Sequence, residues 1–192
     1  MENTDTTDSG NINLENPFES QPAVSLGKNA MTYAAILGGV GVVYNLILWL
    51  MGLTFNKPLG YVSILFTLGI MFWGTKEYRD KQLGGFITYS KALNSNFKIG
   101  FYASIISAIY MFVLYTFIDP TLLAQMRQIG IDAAMAKNSN LSQDQIEQGM
   151  DKVKFFMSPA FLASVALIGG AVSSIILGLL VAIFQKKEKP LF

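Results

Sequence analysis

The stretch PAFLASVALIGGAVSSIILGLLVAIF, Pro159 to Phe184, decides the fold. It lies in a gap of 31 residues, between Lys154 and Lys186, that contains no charged side chain. A helix needs about 20 mostly apolar residues to cross the hydrocarbon of a bilayer. Three more such gaps precede it: 28 residues between Lys28 and Lys57, 18 between Lys57 and Lys76, and 20 between Lys98 and Asp119. One gap would suit a buried helix of a soluble protein, but four leave too little polar sequence to coat a soluble core. The composition agrees, with 52% apolar and 14% charged residues in 192, against about 25% charged in ordinary soluble domains.

The sequence therefore predicts an all-α, polytopic membrane protein. Its four transmembrane helices fall near residues 30–53, 59–75, 99–118 and 159–184, within a membrane domain of residues 29–185. Residues 1–28 form an acidic tail, with five acids and no base before Lys28; its polar composition predicts disorder and does not fit a cleavable signal peptide. Residues 186–192 form a short basic tail. The second span is only about 27 Å long, so Lys57 and Lys76 are expected to snorkel to the headgroups. Tyr33, Trp73 and Tyr78 suit one interface, and Trp49, Tyr61 and Tyr115 suit the other.

Four spans put both termini and the second loop on one side. That side carries 9 of the 14 basic residues and the opposite side 5, so the positive-inside rule places both termini in the cytoplasm. The third loop, 119–158, reads as an amphipathic helical hairpin on the outer face. Asp119-Pro120 starts its first helix, with Leu122, Met126, Ile129 and Ala133 on one face. Ser142 and Gln145 form a capping box for the second, with Ile146, Met150, Val153 and Met157 as its stripe. These stripes can pack on each other, lie in the interface or receive a partner, and Lys152 and Lys154 lie near enough to meet lipid phosphates. In the second loop Gly84-Gly85 marks a turn, after which Ile87, Lys91, Asn94 and Lys98 read as a polar stripe and the third helix starts near Thr88.

Helices in lipid gain little from apolar burial against each other, so small residues that let backbones approach carry much of the packing. Ala166, Gly170, Ser174, Gly178 and Ala182 recur at four-residue spacing in the last span. Gly100, Ser104 and Ala108 do so in the third, and Ala34 with Gly38 and Ala35 with Gly39 in the first. Such stripes fit packing within one subunit or a dimer face.

The chemistry is sparse. Without cysteine or histidine, thiol nucleophiles, zinc–thiolate sites and the commonest catalytic base are excluded. No acidic or basic residue falls inside a predicted span, which disfavours a pump or proton-coupled carrier. Asn45 is the one carboxamide within the predicted spans and suits an interhelical hydrogen bond or contact with a substrate. Thr67, Ser104, Ser107, Ser173 and Ser174 are hydroxyls able to bond their own helix backbones, with no base to activate them. The outer acids Asp119, Asp132, Asp144, Glu147 and Asp151 read as helix-start or solvated-face residues. No catalytic, cofactor-binding or metal-binding residues are assigned, and no enzyme activity, cofactor or nucleic-acid partner is expected.

Gly85-Phe86-Ile87-Thr88-Tyr89-Ser90-Lys91-Ala92, then Ile118-Asp119-Pro120, and the closing Ser174-Ile175-Ile176-Leu177-Gly178-Leu179-Leu180 ending in Lys186-Lys187, resemble the domain of unknown function 4199 family. The likeness covers about Lys28 to Lys189. It implies a small four-span protein of the bacterial cell (inner) membrane with a long third loop, and it brings no activity or cofactor. The expected partners are membrane lipid and a membrane protein or second copy of the chain. The alternative is a small channel or carrier for a neutral solute, lined by Asn45 and the span hydroxyls.

Overall fold

In the computed structural model, which describes residues 25–137, 142–152 and 154–188, the chain is a helical bundle with no strands among those residues. Four helices are long and apolar enough to cross a membrane: α1 (Leu26–Leu50), α2 (Lys57–Gln82), α3 (Tyr89–Val113, continued to Ile118 by a π-helical turn) and α6 (Pro159–Gln185). Between α3 and α6 lie α4 (Thr121–Lys137) and α5 (Gln143–Lys152). The all-α, four-span architecture is the one expected from the charge gaps.

Local sequence sets the helix ends. Ser25 caps α1 by accepting from the Lys28 N–H at 3.3 Å, so the helix starts inside the segment 1–28 expected to be a tail; residues 1–24 lie outside the described residues. At its far end α1 stops at Leu50 rather than Leu53. Gly52 has φ +69°, which suits a residue without Cβ. The Leu53 N–H then reaches Leu48 O at 2.8 Å and the Gly52 N–H reaches Trp49 O at 3.0 Å, closing the helix as a Schellman motif. Helix α2 continues seven residues past the expected Thr75, because its charged last turns stand beyond the apolar part of the bundle. It ends where Gly84 and Gly85 take φ of +64° and +86°. Thr88 caps α3, accepting from the Lys91 N–H at 3.4 Å, so the helix begins at Tyr89, ten residues before the span limit of 99 and at the start that the loop pattern indicates.

Helix α3 is the centre of the bundle. It packs along α6 most extensively and along α1 next, while α2 rests on α1 and meets α3 and α6 over a shorter length. Ala30, Ala34, Leu37, Met71, Ile99, Ala103 and Val181 form the buried core where all four helices meet. Both described chain ends and the α2–α3 connection lie at one end, here the terminal end. There Ile87 and Lys187 exchange backbone hydrogen bonds of 2.8 and 3.0 Å. Ile87 is thus buried rather than part of a polar stripe, and Lys187, in the basic tail, is paired through its backbone; residues 189–192 lie outside the described residues.

At the opposite end α4 and α5 form the hairpin read from the sequence. Ser142 and Gln145 make both capping-box bonds, at 3.0 and 3.3 Å, and Ser158 caps α6 by accepting from the Phe161 N–H at 3.3 Å. The α4 stripe shares one face of the helix, and that face is buried only in part. Leu122 is buried against the π-helical turn with Met126 beside it, but Ile129 and Ala133 are exposed and the opposite face buries Ile131. Apolar residues occupy both sides of this helix, so its pattern does not single out one buried face. On α5 Ile146 is buried; the side chains of Glu147 and Met150, with Val153, lie outside the described residues.

Candidate functional site

The small-residue stripe of α6 is the seam with α3. A Cβ on Gly170 would stand 2.5 Å from Ser104 Cβ, one on Gly178 would stand 3.2 Å from Asn96 Cβ, and one on Gly100 would overlap Ser174 and Met71. These helices are therefore in contact near the backbone, and the stripe is used inside the subunit. The two α1 pairs divide. Ala34 and Gly38 are buried, with Gly38 against Ile106, whereas Ala35 and Gly39 face outward.

Beyond one end of this seam, polar side chains fill the terminal end of the bundle. The Asn96 amide donates to Gln185 Oε1 at 3.1 Å and to Gly178 O at 3.4 Å. Gln185 donates in turn to Phe72 O at 2.8 Å and Met71 O at 3.5 Å. Thr75 Oγ1 lies 2.8 Å from Asn96 Oδ1 and 2.7 Å from Ser95 Oγ. A carboxamide oxygen only accepts, so the Thr75 proton goes to Asn96 and Ser95 donates to Thr75. All four side chains are fully buried. Asn29 ties α1 to the same level by donating to Gly74 O at 3.1 Å. Outside this plug, Tyr33 donates to Glu77, which also pairs with Lys81 at 2.8 Å, and Arg79 donates to Gln185 O at 3.3 Å.

Away from the plug α2 loses contact with α6. Its buried residues are Met71, Gly74 and Thr75, all in its second half. In its first half it leans on α1, where Tyr44 donates to Leu59 O at 2.8 Å and stacks edge-on against Phe66. A cleft of about 380 Å³ opens between α2 and α6, floored by Gly100, Ala103, Ser104 and Ser107 of α3. That volume is within the usual range for small-molecule sites, about 300–1,000 Å³. From Ala166 to Leu177 it follows α6 for about 16 Å, at mid-membrane depth. Its surface is mostly apolar, interrupted by six hydroxyl side chains, and carries no ionisable group. Buried Met71, Ile99 and the Asn96–Gln185 pair close it at the terminal end.

The five span hydroxyls named from the sequence all line this cleft, joined by Ser63. Thr67 donates to Ser63 O, Ser104 to Phe101 O and Ser174 to Gly170 O, at 2.9, 2.7 and 2.6 Å. Ser107 and Ser173 have no hydrogen-bond partner among the described residues. Asn45 is elsewhere, half-buried and accepting from the Tyr110 hydroxyl at 3.5 Å. Asn45 is also not the main buried carboxamide: Asn29, Asn96 and Gln185 lie just outside the span limits drawn from charge gaps. A further four-residue step carries the α3 stripe from Gly100 to Asn96, whereas the same step on α6 leads from Ala182 to Lys186 and misses Gln185 by one residue.

The outer acids do not converge, and the described residues hold no cluster of three or more metal-ligating side chains. Asp119 accepts from Thr121 and, at 2.9 Å, from Trp49 Nε1. Those hydrogen bonds hold its carboxyl below the usual aspartate value. Tyr115, placed at the interface by the sequence pattern, is instead buried with Leu114 and Leu122.

No curated protein and no solved structure matches the chain significantly. A family model described as "Protein of unknown function (DUF4199)" matches residues 32–187, which cover the four long helices except the first six residues of α1, together with the hairpin, and the chain belongs to that family.

Proposed function

We propose that this multi-pass membrane protein is not an enzyme and works by association within the bilayer, taking an apolar lipid chain into the cleft between α2 and α6. The cleft itself carries the reading: it is uncharged, with a mostly apolar surface, lies midway along the spanning helices, and is closed toward the terminal end. A chain without cysteine or histidine, whose cleft hydroxyls have no base beside them, lacks the usual means of activating a nucleophile. The family resemblance supports a bacterial inner-membrane location, and the excess of basic residues at the terminal end supports cytoplasmic termini.

The six hydroxyls favour a second reading, a carrier for a neutral solute. Passage would require the Asn96–Gln185 plug to part, so the structure fits binding better than conduction. A phosphatidylcholine probe with a photoreactive group midway along one acyl chain separates these readings in nanodiscs. Labelling is expected within residues 63–67, 100–107 and 170–177, and Ser173→Leu should remove most of it by filling the cleft. Labelling spread evenly over outward faces such as Ile168 would contradict lipid binding in the cleft. Cross-linking of those segments to another polypeptide would replace lipid with a protein partner.

A further inference from the structure

A second groove, of about 590 Å³, lies at the α4–α5 end, where α4 passes the short 3-10 turn Lys154–Met157 that leads into α6. Its walls are apolar, from Leu123, Ala124, Met157 and Pro159, and its charged members are Arg127 and Lys154. The turn immediately precedes a membrane-spanning helix, which puts it at headgroup level. Phe155 and Phe156 are 70% and 53% exposed there and pack at an angle against Phe161 at centroid distances of 5.6 and 4.9 Å. Exposed aromatic rings at this depth are stable in the bilayer interface and unfavourable in water.

We propose that this groove binds one anionic phospholipid, with Lys154 and Arg127 on its phosphate and an acyl chain along Leu123, Met157 and Pro159. A free anion would leave the apolar walls bare, and a zwitterionic lipid would bring a second cation beside Lys154 along with its phosphate. Lys154 forms no ion pair among the described residues, whereas Arg127 donates from Nη2 to Asp151 at 2.8 Å. Asp151 therefore competes with the lipid for Arg127. Lys152, two residues from Lys154, does not line the groove and serves as a control of equal charge.

The test is lipid retention measured by native mass spectrometry, after release from nanodiscs of phosphatidylcholine containing a minor share of phosphatidylglycerol. One phosphatidylglycerol is expected to stay bound in preference to phosphatidylcholine. Lys154→Gln should lower its retention about fivefold, the effect of one basic residue at a membrane surface. Lys152→Gln should leave it unchanged, and Asp151→Asn should raise it. These side chains are exposed, so the variants should fold. Equal loss with Lys152→Gln and Lys154→Gln would reduce the effect to diffuse surface charge and overturn the site. Displacement by glycerol phosphate at equal concentration would show that the groove reads phosphate alone, overturning the lipid assignment. The acyl-chain cleft is tested separately, since the two sites differ in probe and in labelled segment.

Discussion

Gly170→Leu is expected to destabilise the bundle by about 3 kcal/mol, the upper end of ordinary overpacking costs. The added Cβ alone would stand 2.5 Å from Ser104 Cβ, closer than carbon atoms approach without displacement. Ser104 is buried on α3, with its hydroxyl bound to Phe101 O, so it cannot swing aside without losing that bond. The helices must separate, and separation also loosens the contact between Gly100 and Ser174 one turn away. Ile168→Leu is the matched control, because Ile168 is 64% exposed on the outer face of α6 and should change stability by less than about 0.5 kcal/mol. Reversible unfolding in mixed micelles compares the two. Equal stability would mean that the α3–α6 seam does not hold the bundle.

The second large effect concerns the plug. Gln185→Leu removes the acceptor of the Asn96 amide and leaves that amide with only the 3.4 Å contact to Gly178 O. A membrane-buried hydrogen bond is worth only about 0.6 kcal/mol on average, but a buried polar group left without a partner costs about 1–3 kcal/mol. The second figure governs here, because both side chains are fully buried. Gln185→Leu and Asn96→Leu should therefore each cost about 2 kcal/mol. The double variant should cost less than their sum by about 1 kcal/mol, since Thr75 and Ser95 still satisfy each other. Strict additivity, or single losses near 0.6 kcal/mol, would show that water or lipid reaches these groups.

Charge gaps were enough to find the four helices, because ionised groups are costly in hydrocarbon and are rare within spanning segments. Four-residue spacing was enough to find the α6 seam, because only small side chains let backbones meet. Both signals failed at the same place. Asn96 and Gln185 fall outside the apolar runs, yet α3 begins at Tyr89 and α6 continues to Gln185, so the helices bring these residues into the buried terminal end. The cleft was legible only in part. Its hydroxyls were identifiable as span residues, but their convergence depends on α2 leaning toward α1 through Tyr44, Leu59 and Phe66, a tertiary choice that no local pattern encodes. The face of α4 that packs was likewise undetermined, since Leu122 and Ile131 lie on opposite sides of the same helix.

The most direct test of the four-span account is single-cysteine accessibility, which the chain suits because it has no cysteine of its own. Ser90→Cys and Glu188→Cys report on the terminal end and Ser142→Cys on the α4–α5 end, all at exposed positions. With a membrane-impermeant maleimide applied to sealed vesicles of one orientation, positions 90 and 188 should react from the same side and position 142 only from the other. Reaction of positions 90 and 142 from one side, or of 90 and 188 from opposite sides, would contradict it.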